Sequence, residues 1–176
     1  IPETVWVPSF YEPIDNNVGG YPAAGLMIIG GPAKLGKTTL LLKLLACSAK
    51  EGKKSLFFSR EMKAGMAKLR LNTIVPGMKR TELENILVVD RPVFTDEVYV
   101  TAVRAAAEHQ LHFIGVDYAT KLIDGQISVE TMGHVYKSMS QLANVTGVPV
   151  VLLSGVSRGY VGGEPMVNHL YFSGLA

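Results

Sequence analysis

A three-layer α/β domain built on a mostly parallel central sheet is the fold class this sequence predicts, and three observations predict it. From residue 26 onward, short apolar runs alternate with longer amphipathic stretches, the pattern of strand–helix–strand crossovers. The apolar runs are continuous rather than alternating, as in strands covered on both faces. A length of 176 residues with 48% apolar content suits one domain with a single sizeable core.

Residues 1–25, rich in Pro, Gly and Asn and without sustained periodicity, are expected to form an extended lead-in that ends in the turn Val18-Gly19-Gly20-Tyr21-Pro22. Residues 26–176 are then the folded domain. Its strands are expected at Leu26–Ile29, Ser55–Phe58, Ile86–Val89, Phe113–Val116 and Val148–Leu153. Helices are expected at about 37–50, 62–72, 96–109 and 130–146. In the last of these, Met132, Val135, Tyr136, Met139, Leu142, Ala143 and Val145 recur at helical spacing. No internal repeat and no low-complexity segment interrupts this order.

Between the first strand and the first helix, Gly31-Pro32-Ala33-Lys34-Leu35-Gly36-Lys37-Thr38 matches G-x-x-x-x-G-K-[ST] at every fixed position, with Thr39 next in line. The chemistry requires these residue types at this spacing. Glycines let the backbone bend around a phosphate and aim several N–H groups at it. The helix that starts near Lys37 adds partial positive charge at its N-terminus. Lys37 is expected to reach the β- and γ-phosphates, and the Thr38 hydroxyl to ligate Mg²⁺. The segment therefore reads as the phosphate loop of a P-loop NTPase.

Turnover requires carboxylates as well. In open α/β sheets ligands bind beyond the carboxyl ends of the strands, and two acids lie there. Asp117 follows the apolar run His112-Phe113-Ile114-Gly115-Val116 and suits a metal-supporting role; the alternative is a surface Asp opening a turn. Glu61 closes Ser55-Leu56-Phe57-Phe58-Ser59-Arg60. It could hold or deprotonate an attacking water, or simply be an acid favoured by a helix N-terminus, and periodicity alone does not choose.

At these residues the chain resembles the DnaB-like hexameric helicases of the RecA-like superfamily. Leu56-Phe57-Phe58-Ser59-Arg60-Glu61-Met62 resembles their strand and S-x-E-M motif, with Ala64 and Arg70-Leu71 in register. Ile86–Asp90 followed by Thr95-Asp96-Glu97 is similar to the family's short strand and helix start. Gly115-Val116-Asp117-Tyr118 resembles I-D-Y, the stretch from Leu142 to Arg158 resembles L-A-x-x-x-x-V-P-V-x-x-L-S-Q-L-x-R, and Phe172-Ser173-Gly174 is similar to R-E-S-G. The resemblance implies a RecA-like ATPase fold, ATP and Mg²⁺ as cofactors, Glu61 as catalytic carboxylate with Lys37, and Thr38 and Asp117 at the metal. It also implies a homo-oligomeric ring with sites between subunits, single-stranded DNA as a partner, and a cytoplasmic setting in a bacterial or phage-infected cell.

The chain departs from the family at three places. Gly155 stands where the family has the glutamine of S-Q-L, which reads the γ-phosphate and couples hydrolysis to DNA movement. The stretch between Arg70-Leu71 and Ile86 is short. The sequence stops at Ala176, ahead of the strands that supply basic residues to a neighbouring subunit, and it begins at Ile1 rather than Met, so the expectation is a piece of a longer protein.

Composition narrows the field. Net charge is +2 with Lys and Arg dispersed, which leaves nucleic-acid binding open. The expected DNA-facing loops, Asp124–Glu130 and Arg158–Pro165, offer only Arg158 as a cation and Tyr160 as a stacking group. Arg70 could pair with Glu61, contact a neighbouring subunit or lie on a solvated face. No apolar run nears the roughly 20 residues of a membrane span, and, with no basic region followed by an apolar stretch in the first residues, no secretory leader is expected. Cys47 is the sole cysteine, which excludes an internal disulfide and fits a reducing compartment. The four histidines have no metal-ligand spacing. Met62 and Met66 are expected in the core, while Trp6 and Phe10-Tyr11 are aromatic groups whose docking partner the sequence does not decide.

Two functions fit. One is the ATP-hydrolysing motor domain of a DnaB-like replicative helicase or translocase acting on single-stranded DNA. The other is a RecA-like ATPase without unwinding activity, such as a loader, a recombination mediator or a KaiC-like regulator. Glu61 and Asp117 both argue against a module that only binds nucleotide.

Overall fold

Apolar side chains project from both faces of the central strands, so both faces must be covered. In the computed structural model, which describes residues 5–155 and the backbone of 159–161 and 164–166, helices do this. The order is β1 (Trp6–Val7), α1 (Glu12–Val18), β2 (Tyr21–Pro22), β3 (Leu26–Gly31), α2 (Lys37–Lys50), β4 (Lys54–Ser59), α3 (Ala64–Ile74), α4 (Arg80–Leu83) and β5 (Ile86–Val89). It continues with α5 (Thr95–Glu108), β6 (Leu111–Asp117), a 3-10 turn (Ala119–Leu122), α6 (Val129–Thr146), β7 (Val150–Gly155), β8 (Gly159–Val161) and β9 (Glu164–Met166).

The main sheet has five strands in the order β3-β7-β6-β4-β5, and every pairing is parallel. This is the three-layer α/β architecture expected from the alternation of strands and helices. From the edge strand β3 the chain crosses β7 and β6 through α2 to reach β4, moves outward to β5, and then returns through α5 and α6. Helices α2, α3 and α4 therefore cover one face, and α5 and α6 the other.

Strand alternation sorts the core accordingly. Phe57, Phe113, Val151 and Leu153 pack with Leu41, Leu42, Leu44 and Leu45 of α2 and with Ala67 and Leu71 of α3. Leu56, Phe58, Ile114, Val116, Val150 and Leu152 point the opposite way, onto Val98 and Ala102 of α5 and Met132, Val135, Met139 and Leu142 of α6. Each such buried side chain contributes about 1.5–3 kcal/mol relative to exposure. On the first of these faces Gly115 leaves no space for a side chain: a Cβ there would lie 3.0 Å from Leu41 Cδ1.

The ends of the helices follow local rules. Ser128 caps α6 by accepting from Thr131 N at 3.1 Å, and Gly147 ends it in the left-handed region with φ 69°. Glu97 reaches back to Phe94 N at 3.2 Å at the start of α5.

The lead-in differs from the extended segment expected over residues 1–25. It holds the helix α1, and β1 pairs antiparallel with β2. A single carboxylate accounts for the compact shape: Asp15 Oδ1 accepts from both Ser9 N and Ser9 Oγ at 2.7 Å, so fully buried Ser9 is satisfied. Glycine is obligatory at position 20, where φ is 109° and a Cβ would lie 2.3 Å from Val7 O. The segment docks on its own domain. Phe10 stacks on His112 at 5.1 Å, Tyr21 is fully buried against Phe113, and Lys43 lies 5.1 Å above the Tyr11 ring. His112 Nε2 also sits 2.8 Å from Pro8 O.

Smaller differences have local causes. Helix α3 begins at Ala64 rather than 62 because Ser59 holds the preceding turn, its hydroxyl donating to Met62 O at 2.6 Å. Met66 is 53% exposed on α3, not in the core, since Ala67 and Leu71 supply that helix's buried face. Strand β7 starts at Val150, two residues later than expected, after Gly147 has ended α6. Among the described residues no helix is long and apolar enough to cross a membrane.

Candidate nucleotide site

The phosphate-loop sequence lies between β3 and α2, at the carboxyl end of the sheet. Gly36 is the N-cap of α2 in the left-handed region, φ 82°, and Lys34 is also left-handed, φ 66°. Glycine adopts that backbone without the Cβ penalty, so Gly36 is where the loop turns into the helix. Ala33, Lys34, Leu35, Gly36 and Thr39 are exposed, whereas Gly31, Pro32, Lys37 and Thr38 are half-buried. Lys37 Nζ donates to Gly31 O and to Pro32 O, both at 2.8 Å. The ammonium is thus anchored within the loop itself.

Asp117 is the last residue of β6 and only 1% exposed. It lies two and four residues beyond Gly115 and Phe113, so strand alternation turns it toward α2. Thr38 lies one turn before Leu41, the residue in contact with Gly115. The two coincidences bring them together: Thr38 Oγ1 donates to Asp117 Oδ2 at 2.9 Å. Burial pushes the Asp117 carboxyl up to about 6 from its ordinary 3.8. The Thr38 hydrogen bond opposes that rise, the Glu61 charge adds to it, and Lys37 and Arg70 act against it.

Glu61 follows β4 and is exposed. Strand β4 pairs with β6 with Ser59 opposite Asp117, and Arg60 N donates to Asp117 O at 2.9 Å. The turn that carries Glu61 is therefore fastened to the strand end that carries Asp117. Arg70 is exposed on α3 and forms no ion pair with Glu61 among the described residues, although its charge is felt at Asp117. Gly155 ends β7 opposite Gly31, and a Cβ on it would meet nothing within 4 Å among the described residues. Arg158 and the side chain of Tyr160 lie outside the described residues, as do Phe172, Ser173 and Gly174.

Asp90 escaped the sequence reading. Its carboxylate accepts from Ala64 N at 2.8 Å and so caps α3 from the end of β5. The available signal was the one that marks Asp117, an acid closing an apolar strand. Arg60 escaped as well, because its side-chain partners are distant in the chain.

The donors fit a nucleotide with a hard cation. Thr38 Oγ1 and Asp117 Oδ2 are oxygen ligands of the type Mg²⁺ takes alongside phosphate oxygens. A cation beside them would favour the carboxylate form that burial disfavours. Among the described residues no group of three or more His, Cys, Asp or Glu could hold a metal ion.

Comparisons with known proteins bear on the family and the fold. The family pattern described as an AAA domain matches residues 3–158. The DNA repair protein RadA of Bacillus subtilis is 26% identical over 167 residues, covering 89% of this chain and 34% of that protein. The replicative DNA helicase DnaB of Treponema pallidum is 25% identical over 188 residues, covering 92% and 43%. The chain thus spans about a third to two-fifths of the length of these curated relatives. A solved ATPase domain superposes with a TM-score of 0.75 at 17% identity, over 96% of this chain and 71% of that one, and shares the fold.

Proposed function

The chain belongs to the AAA domain family, and on that premise we propose that it is the ATP-hydrolysing motor domain of a DnaB-like replicative DNA helicase or translocase acting on single-stranded DNA. The observation that carries the reading is the hydrogen bond from Thr38 to buried Asp117, close enough to Glu61 for both carboxylates to interact. A phosphate loop alone holds nucleotide; this pairing adds a cation site and a second acid beside it.

In this reading ATP supplies the transferable phosphoryl group and Mg²⁺ neutralises developing charge. The residues from Gly31 to Thr39 wrap the phosphates with backbone N–H groups. Lys37 moves its ammonium from the loop carbonyls to the phosphate oxygens, exchanging two neutral acceptors for charged ones. Thr38 and Asp117 would hold the cation. Glu61 orients a water in line with the phosphorus and accepts its proton. Similarity to a replicative DNA helicase supports a role on DNA, and the reading includes a ring of identical subunits in a bacterial or phage-infected cytoplasm.

A second reading is a RecA-like ATPase without unwinding activity. Gly155 favours it, because this position beside the phosphate loop has no side chain with which to sense the nucleotide. Relatedness to DNA repair proteins supports it too.

Steady-state ATP hydrolysis with and without single-stranded DNA, paired with strand displacement, separates the two. The motor is stimulated severalfold and separates duplex; the alternative changes little and separates none. Folded protein that hydrolyses no ATP in the presence of Mg²⁺ rules out both. Size-exclusion with and without nucleotide tests the ring, which requires an assembled species.

A further inference from the structure

Arg60 and Glu61 are the first two residues of the turn after β4. Arg60 continues the alternation of Leu56 and Phe58, which face α5 and α6. There its guanidinium donates twice to one carbonyl, Lys121 O, from Nε at 3.2 Å and from Nη2 at 3.1 Å. The same group lies 5.8 Å from the centre of the Phe94 ring. Its backbone N–H is held by Asp117 O at 2.9 Å. Glu61 follows Arg60 in the same turn, exposed, and its charge acts on Asp117. The turn after β4 is thus tied at Arg60 to the strand end of β6 through the main chain and to the 3-10 turn beyond it through the side chain. Its other ties are local, between Ser59 Oγ and the Met62 backbone, and at its far end, where Lys63 Nζ and Ala64 N donate to Asp90.

Arg60 is half-buried and has no acidic partner within ion-pair distance among the described residues. A residue serving only solubility would not commit two of its guanidinium nitrogens to one main-chain carbonyl beside a ring. From this we infer that Arg60 is a positioning residue: by clamping the Lys121 carbonyl and the Phe94 ring it fixes the backbone from which Glu61 approaches the phosphate site. The inference rests on the ATPase reading above. Its side-chain contacts are with the Lys121 carbonyl and the Phe94 ring, so in this role Arg60 acts through Glu61. Displacement of a reacting group by about 1 Å costs on the order of a hundredfold in rate, so loosening this clamp lowers turnover without loosening the phosphate loop, which lies on the other side of the sheet.

The test compares Arg60→Leu, Arg60→Lys, Glu61→Gln and the double variant Arg60→Leu with Glu61→Gln in steady-state ATP hydrolysis and in calorimetric binding of Mg-ADP. Expected for Arg60→Leu is a kcat lowered roughly tenfold or more, with KM and Mg-ADP affinity within about twofold of the parent protein. Arg60→Lys, which keeps the charge near Phe94 but cannot fork, falls between. In the Glu61→Gln background Arg60→Leu adds no further loss, because residues acting through one group are not additive. A parental kcat in Arg60→Leu overturns the inference, as does an equal fold-loss in both backgrounds. Should Arg60→Leu fail to fold, a parental kcat in Arg60→Lys overturns it equally. Failure of the ATPase reading looks different: the parent protein itself hydrolyses nothing, or Glu61→Gln hydrolyses normally.

Discussion

Leu41 Cδ1 lies 3.0 Å from the position a Cβ on Gly115 would occupy, so the Leu41 side chain of α2 rests directly on the main chain of β6. One helical turn toward the N-terminus and two strand residues toward the C-terminus, the same contact delivers Thr38 to Asp117 at 2.9 Å. The close approach in the core and the polar pair in the site are two consequences of one packing geometry. Gly115→Val is expected to destabilise the fold by about 1–3 kcal/mol through overpacking. Leu41→Ala alone is expected to cost about 2–5 kcal/mol. Combined, they should cost less than their sum by roughly 1 kcal/mol or more, since each relieves what the other disturbs. Urea denaturation of the four proteins checks this; strict additivity would show that the two residues do not meet.

The raised pKa of Asp117 makes stability depend on pH with a definite sign. Its carboxyl titrates at about 6 in the folded chain against an ordinary 3.8, so between those values the folded state binds more protons than the unfolded one. Stability from this group therefore falls as pH rises from about 4 to 6 and is level above. The gap corresponds to roughly 3 kcal/mol. Asp117→Asn keeps an acceptor for Thr38 and removes the titration. It should match the parent near pH 4 and exceed its stability by up to that amount at pH 7, as measured by denaturant melts across the range without nucleotide. A parental pH profile in Asp117→Asn would show that burial does not strain this carboxylate.

The layered fold and the phosphate loop were legible in the sequence because both are local. Continuous apolar runs report strands covered on two faces, and Gly36 before Lys37 and Thr38 marks a left-handed turn into a helix. Asp117 was legible because an acid at the end of an apolar strand has few reasons to be there, and Asp90 carried the same unread signal. What escaped depends on partners far apart in the chain. The docking of Phe10 on His112 and of Arg60 on Lys121 O leaves no trace in spacing or periodicity. Met66 misled because helical spacing alone does not say which of two apolar stripes on α3 meets the sheet.

The lead-in should contribute stability without contributing to nucleotide binding. Asp15 Oδ1 satisfies two donors of buried Ser9, and its removal leaves Ser9 N unpaired and Ser9 Oγ with only its 3.3 Å bond to Tyr11 O. Asp15→Ala is expected to cost about 2–3 kcal/mol in urea denaturation, and Asp15→Asn less, because its amide oxygen still accepts. Mg-ADP affinity should stay within about twofold in whatever fraction remains folded. The lead-in docks on His112 near the start of β6, the end of that strand away from Asp117. An Asp15→Ala protein as stable as the parent would mean that Ser9 is not held in this way in solution.

Lys37 and Glu61 should fail in opposite ways. Lys37 Nζ is the positive charge anchored inside the loop, 2.8 Å from two carbonyl oxygens. Lys37→Ala removes the partner of the terminal phosphates, and ATP affinity is expected to fall by roughly a hundredfold, the scale of one or two charge-assisted hydrogen bonds at about 1.5–3 kcal/mol each. Glu61 lies exposed beyond β4 and holds no part of the loop. Glu61→Gln is nearly the same size and loses only the ability to take a proton, so ATP affinity should stay within a few-fold while turnover falls by two orders of magnitude or more, the scale on which general bases act. Equilibrium binding of a non-hydrolysable analogue, set against steady-state phosphate release, resolves the split. Normal turnover by Glu61→Gln would remove the carboxylate from the mechanism and leave Asp117 as the sole acid at the site.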